Sequence, residues 1–228
     1  GSGMIHPNMA TMLAFVTSDV AINKEMLNEV IHEVVDDTFN MVSVDGDTST
    51  NDMLTLMCNG LAQNNEITQK DENYQCFKKA LMYICTCLSQ AIAKDGEGAT
   101  KLLTCNVLHA KTKKDAKIVA KSVITSSLLK AAMFGEDANW GRILCAIGYS
   151  DADYDIQKID VDFKSKKGKI CVCQNGGGYP FSEEEAAQIL SEDEIEIIID
   201  LHDGDDQATA WGCDLTYDYV KINGDYRT

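Results

Sequence analysis

Between residues 12 and 134, short apolar runs alternate with long amphipathic stretches. That alternation commits the chain to mixed helix and strand content. Residues 12–17 and 53–58 read as buried strands. From residue 24 to about residue 40, Met26, Leu27, Val30, Ile31, Val34, Val35 and Phe39 recur at helical spacing behind Asn23, a good N-cap. Residues 71–94 form the longest helical pattern, with Phe77, Leu81, Ile84, Cys85, Leu88 and Ile92 on one stripe. The pattern stops at Asp95-Gly96-Glu97-Gly98, and residues 100–111 then alternate as a strand. Residues 116–134 read as a helix interrupted by Thr125-Ser126-Ser127, and a loop over 135–142 leads into an apolar run at 143–148. From Tyr149 onward the runs shorten and turn strand-like, at 156–163, 169–174, 194–201 and 208–220. A short acidic helix over 182–190 opens with a capping box, Ser182 and Glu185. This change of texture predicts a second, smaller lobe with its own small sheet over 149–228. The patterns do not assign how its strands pair.

Composition removes several functions. A net charge of −16 argues against nucleic acid, whose phosphates require lysine and arginine. No apolar run approaches the ~20 residues of a membrane span, and no basic-then-apolar leader points to secretion. The net charge suits a soluble, cytoplasmic chain. Neither Cys85 and Cys87 nor Cys171 and Cys173 has zinc spacing with a second Cys/His pair nearby, so no metal site is expected. The nine cysteines read as reduced, mostly buried thiols. Gly176-Gly177-Gly178 is not a phosphate loop, because no Lys-Ser or Lys-Thr follows and Pro180 stands where a helix would start.

One junction has chemical potential. Ala10 and Thr11 lie between a Gly-rich, Pro-containing segment and the first strand. An ordinary turn before a strand accounts for this. A strained, exposed turn there would let the Thr11 hydroxyl attack the Ala10 carbonyl, form an ester and yield the chain to water. Thr11 would then carry a free α-amine, titrating near ~8, beside its own Oγ. Nucleophile and base would share one residue. Asp45, Asp47 and Asp52 form either a solvated loop with Asx turns or a polar loop that buttresses such a nucleophile. A Ca²⁺ loop fits poorly, since the closing bidentate acid is missing. Glu97 between two glycines is either a helix end with an exposed acid or a carboxylate presented where backbones approach closely. Trp140 reads as a structural plug, His32 as a surface or capping residue, Arg142 as a substrate or scaffold cation, and residues 223–228 as a frayed tail.

Gly1-Ser2-Gly3-Met4-Ile5-His6-Pro7-Asn8-Met9-Ala10-Thr11-Met12-Leu13 resembles the self-cleavage segment of the ornithine acetyltransferase family, the bifunctional glutamate N-acetyltransferases. Asp45-Gly46-Asp47-Thr48-Ser49-Thr50-Asn51-Asp52, Gly96-Glu97-Gly98-Ala99-Thr100-Lys101, Asn139-Trp140-Gly141-Arg142-Ile143 and Asn223-Gly224-Asp225-Tyr226-Arg227-Thr228 resemble the same family, in the same order. The resemblance implies an α+β fold with two β-layers flanked by helices, αββα-like and of the N-terminal-nucleophile type, with a smaller α/β C-terminal lobe. It divides the chain into the end of a first chain (1–10), a catalytic lobe (11–148) and the smaller lobe (149–228). It implies self-cleavage between Ala10 and Thr11, catalysis by Thr11, and substrate binding by Thr11, Glu97, Asn223 and Thr228. The implied reaction moves an acetyl group from N-acetylornithine to glutamate, in arginine biosynthesis, with no cofactor beyond acetyl-CoA as a second acetyl donor in some members. The implied partner is the first (alpha) chain of the same precursor, in a heterotetramer of two alpha and two beta chains. The family's oxyanion donors and a substrate-binding lysine lie in that first chain. Two rivals remain at this stage: an N-terminal-nucleophile amidohydrolase or aminopeptidase, in which water resolves the acyl-enzyme, and a non-enzymatic acidic interaction domain with Ala10–Thr11 intact.

Overall fold

The computed structural model describes residues 3–6, 12–48 and 50–226. In chain order the elements are β1 (Leu13–Ser18), α1 (Lys24–Val35), β2 (Val42–Ser43), β3 (Met53–Cys58), α2 (Glu72–Lys94), β4 (Leu102–Ala110), α3 (Lys113–Thr125), α4 (Ser127–Phe134) and α5 (Trp140–Gly148). There follow β5 (Asp160–Ser165), β6 (Gly168–Gln174), β7 (Gly177–Gly178), α6 (Glu183–Leu190), β8 (Glu194–Asp200), β9 (Asp206–Cys213) and α7 (Tyr217–Asp225). The result is a mixed α+β fold.

Local chemistry sets most boundaries. The Asn23 side chain accepts from the Met26 N–H and starts α1. Asp71 caps α2 through the Tyr74 N–H. The interruption at 125–127 is a real break: Ser126 leaves helical geometry, ends α3, and caps α4 through the Leu129 N–H.

Seven strands form one mixed sheet in the order β2-β9-β4-β8-β5-β6-β7. β2 runs parallel to β9 and β4 parallel to β8, while the other neighbours are antiparallel. The expected separate small sheet beyond Tyr149 is therefore not formed. β5 to β9 join β2 and β4, and one core cluster runs from Ile5 to Cys213. The physical reason is that β8 finds its partner in β4, far back in the chain, and buries Ile195, Ile197 and Ile199 on the face that also buries Leu103, Cys105 and Val107. Helix α3 lies on this face with Val119, Ala120, Val123 and Ile124. It comes so close to β9 that a Cβ on Gly212 would stand 2.5 Å from Ile124 Cγ2.

A second, two-stranded sheet pairs β1 with β3 in parallel. Met12, Ala14 and Val16 from its inner side pack with Met26, Val30 and Val34 of α1 and with Tyr74, Leu81 and Cys85 of α2. Helix α2 thus belongs to this second core and also contacts β9, β2 and β4. Among the described residues, no helix is long and apolar enough to cross a membrane. All nine cysteines are free; Cys85, Cys105, Cys173 and Cys213 are buried, whereas Cys76, Cys87 and Cys145 are exposed.

Two elements differ from the sequence expectation. Helix α5 already includes Trp140, Gly141 and Arg142 of the expected loop. The run at 208–220 is a strand only as far as Cys213, and Tyr217 onward is helical. Thr216 caps that helix by accepting from the Tyr219 N–H. The residues read as a frayed tail thus belong in part to α7.

Candidate active site

Three pieces of chain are drawn together around the stretch that precedes β1. The first is the loop after β2. Asp45 accepts the Met4 N–H at 2.8 Å through Oδ2 and the Ile5 N–H at 3.1 Å through Oδ1. The Val44 N–H returns a bond of 2.7 Å to the Ile5 carbonyl. Residues 3–6 are therefore laid along residues 43–45. His6 Nδ1 stands 3.0 Å from Ser43 Oγ. Burial, helped by the Lys121 ammonium and opposed by Asp45 and Asp47, lowers the His6 pKa to about 4, so the ring is neutral at pH 7.

The second piece is Asp52, just ahead of β3. Its Oδ1 accepts the Met12 N–H at 2.8 Å, and the Met53 N–H donates to the Met12 carbonyl at 2.8 Å. The residue that follows Thr11 is thus gripped on both sides. Burial raises the Asp52 pKa, against the Met12 N–H, which lowers it. Asp52 Oδ2 is buried without a hydrogen-bond partner among the described residues.

The third piece is the turn after α2, with α7 docked on it. Gly98 has φ +65°, and a Cβ there would stand 2.5 Å from the Tyr219 nitrogen. Glycine alone permits both the backbone conformation and the approach. Thr216 Oγ1 donates to the Gly98 carbonyl at 2.6 Å. Asp214 binds the next residues, accepting the Thr100 and Lys101 N–H groups at 2.8 and 2.9 Å. With α7 held this way, Asn223 Nδ2 donates to Glu97 Oε2 at 2.9 Å and to the Tyr219 carbonyl at 3.0 Å. Gly3 closes over the acid: a Cβ on it would lie 2.5 Å from Glu97 Cδ.

Of the residues expected from sequence, Glu97 and Asn223 are brought into direct contact. Ala10, Thr11 and Thr228 lie outside the described residues. Arg142 donates to the Leu128 carbonyl at 2.7 Å, a scaffold contact. Trp140 packs under Gly178, where a Cβ would meet its ring at 2.7 Å.

Two residues escaped the sequence reading. Tyr219 places its hydroxyl 3.5 Å from Asp45 Oδ2, and burial with the nearby carboxylates of Asp45, Asp47 and Glu97 pushes its phenol up to about 12. Lys130, buried in α4, donates to the Val44 carbonyl and lies 3.8 Å from Cys213 Sγ. Both line a small cleft of about 120 Å³ with Ser43, Asp45 and Gly46. The usable signal was a lone lysine inside the apolar run Leu128-Leu129-Lys130-Ala131-Ala132-Met133. Two wider clefts, of about 550 and 840 Å³, lie beside α2 on the other side of the sheet, away from these groups.

The family model described as "ArgJ family" matches residues 1–228. The chain belongs to the ArgJ family. It is 54% identical over 228 residues to "Arginine biosynthesis bifunctional protein ArgJ" of Caldanaerobacter subterraneus, covering all of this chain and 57% of that protein. It is 55% identical to the "Arginine biosynthesis bifunctional protein ArgJ 1" of Clostridium acetobutylicum, covering 56% of it. The chain thus spans little more than half the length of these relatives. The crystal structure of "Arginine biosynthesis bifunctional protein argJ" from Bacillus halodurans superposes with a TM-score of 0.90 at 45% identity, over 95% of this chain and 100% of that one. The ArgJ family fold therefore holds for the described chain.

Proposed function

We propose that this chain carries the nucleophile of an acetyltransferase of arginine biosynthesis, which moves an acetyl group from N-acetylornithine to glutamate. The observation that carries the reading is the ArgJ family match over residues 1–228, which takes in the Ala10–Thr11 junction. Thr11 Oγ attacks the Ala10 carbonyl, the Thr11 amide nitrogen leaves as an amine, and water hydrolyses the ester. In turnover, the Thr11 amine accepts the Oγ proton as Oγ attacks the acetyl carbonyl of N-acetylornithine. Ornithine departs with its amine, and an acetyl-Thr11 ester remains. The amine of glutamate then takes the acetyl group and frees Thr11. Two ester steps replace one direct amide exchange, without ATP.

The surrounding groups support these roles. Asp52 fixes the Met12 N–H, so the backbone beside the nucleophile is preset. The Glu97 carboxylate, bonded to Asn223, suits a substrate ammonium group. The family resemblance implies a substrate-binding role for Thr228 as well.

The remaining length of the ArgJ relatives would form the partner chain from the same precursor, in a tetramer with two copies of each. It would bring the oxyanion donors, worth roughly 3–4 kcal/mol each. The two-stranded sheet supports this. Parallel strands are normally covered on both faces, yet Leu13 and Phe15 are each 59% exposed and Met57 49% exposed on its outer face. Added strands there would complete the αββα layering. The test is to omit glutamate: a full-length preparation given N-acetylornithine should release ornithine and leave one acetyl group on the peptide that begins at Thr11. Ornithine release with free acetate and no acetylated peptide would overturn the transfer reading in favour of an amidohydrolase.

A further inference from the structure

Away from this site, a cluster of metal-ligating side chains stands at one end of the seven-stranded sheet. Two of the four histidines of the chain, His109 and His202, meet there around Asp200. His109 sits in the register shift of β4 between Val107 and Ala110, and such irregularities re-aim a side chain. Asp200 ends β8, the parallel neighbour of β4, and His202 follows it. The Leu201 N–H donates to the Leu108 carbonyl at 3.0 Å and the Asp203 N–H to the His109 carbonyl at 2.8 Å. Gly204 approaches so closely that a Cβ would lie 2.3 Å from the Ala110 oxygen. The cluster is therefore set by backbone, not by long side chains that happen to touch.

His109 Nδ1 lies 2.8 Å from both oxygens of Asp200. His202 Nδ1 lies 3.3 Å from Asp200 Oδ1, while its Nε2 stands 2.9 Å from Asp160 Oδ2 on β5. The two rings are nearly parallel, at 14°, with centroids 6.2 Å apart. One ligand atom from each of His109, Asp200 and His202 lies within 4.8 Å of the other two. Ligands on a tetrahedral ion with bonds of about 2.1 Å stand roughly 3.4 Å apart, so small side-chain rotations close the three atoms on one ion. Asp160 decides which nitrogen is available. In the tautomer that donates Nε2–H to Asp160, the His202 Nδ1 lone pair faces the lone pairs of Asp200. A cation between those two acceptors resolves the conflict. A carboxylate holding the far nitrogen of a histidine is also the arrangement that orients ligating histidines in metal sites.

We propose that His109, Asp200 and His202 bind one divalent transition-metal ion of the zinc class per chain, with Asp160 as the positioning residue. Two imidazoles and one carboxylate leave a fourth position for water, and nitrogen ligands select against calcium and magnesium, which take oxygen. Lys111 is paired with Asp153 and Asp203, and Lys158 with Asp203. The ion would tie β4, β8 and β5 together at their shared end.

The test is titration of the full-length protein with Zn²⁺ against a chromophoric chelator, after alkylation of exposed thiols such as Cys76, Cys87 and Cys145. One Zn²⁺ should bind per chain at micromolar concentration. His109→Asn and His202→Asn should each weaken it at least tenfold; asparagine suits their left-handed backbone, at φ 52° and 48°. Asp160→Asn should weaken it roughly tenfold or more with stoichiometry kept. In the parent protein, Zn²⁺ should protect His109 and His202 from diethyl pyrocarbonate. Absence of saturable binding, binding unmoved by both histidine variants, or no protection of the parent histidines would overturn the proposal.

Discussion

Glu97 takes its position from its neighbours. Gly98 holds a left-handed conformation against the α7 backbone, and Asn223 holds one carboxylate oxygen. A charge-assisted bond to a substrate ammonium is worth ~1.5–3 kcal/mol, so Glu97→Ala should raise KM roughly ten- to hundredfold with a smaller change in kcat. Steady-state kinetics of the full-length protein checks this, and an unchanged KM would reduce Glu97 to a turn residue. His6 gives a pH prediction. Its ordinary pKa of 6.5 falls to about 4 in the fold. Between these values the unfolded chain binds a proton that the folded chain does not. The stability His6 allows is therefore full above pH 6.5 and is lost as pH falls toward 4. Melting temperatures of His6→Asn should fall less steeply than the parent's over that window; parallel curves would contradict it. At this scale the sequence showed acids between glycines and in Asx loops, but not their partners. The bond between Glu97 and Asn223 joins residues far apart in the chain, and only the ordered family motifs suggested that they act together.

Among the elements, α7 was the hardest to read. Tyr217, Tyr219 and Lys221 alternate with polar and apolar neighbours in a way that continues β9, and the cap at Thr216 was the overlooked stop signal. Thr216 both starts α7 and bonds the Gly98 carbonyl. Thr216→Ala should cost about 1–2 kcal/mol, on the scale of a lost N-cap, and should also raise KM by loosening Asn223. Urea unfolding and kinetics on the same sample check both, and a change in one without the other would separate the cap from the site. Several helices were well marked: the α2 stripe, the Asn23 cap and the break at Ser126 follow from local spacing and capping chemistry, whereas the start of α5 at Trp140 read as loop. The sheet was not marked, because β4 joins β8 and β9 by long-range pairing that no local pattern encodes. The sheet therefore continues past residue 148, where the texture of the sequence changes.

For the whole molecule, the uneven cover of its two sheets is the informative property. The seven-stranded sheet buries one face under α3 and α6, while the two-stranded sheet turns Leu13, Phe15 and Met57 outward. If the rest of the precursor lies on that face, Phe15→Glu should abolish co-purification of the two segments while leaving the fold of this one intact by circular dichroism. Retained co-purification would move the interface elsewhere. The account as a whole depends on the bond between Ala10 and Thr11. Intact-mass spectrometry of the purified full-length protein tests it most directly. Two masses are predicted for the active parent, one of them for a chain beginning Thr11-Met12-Leu13, and a single uncut mass for inactive Thr11→Ala. An uncut parent that still forms N-acetylglutamate would contradict it.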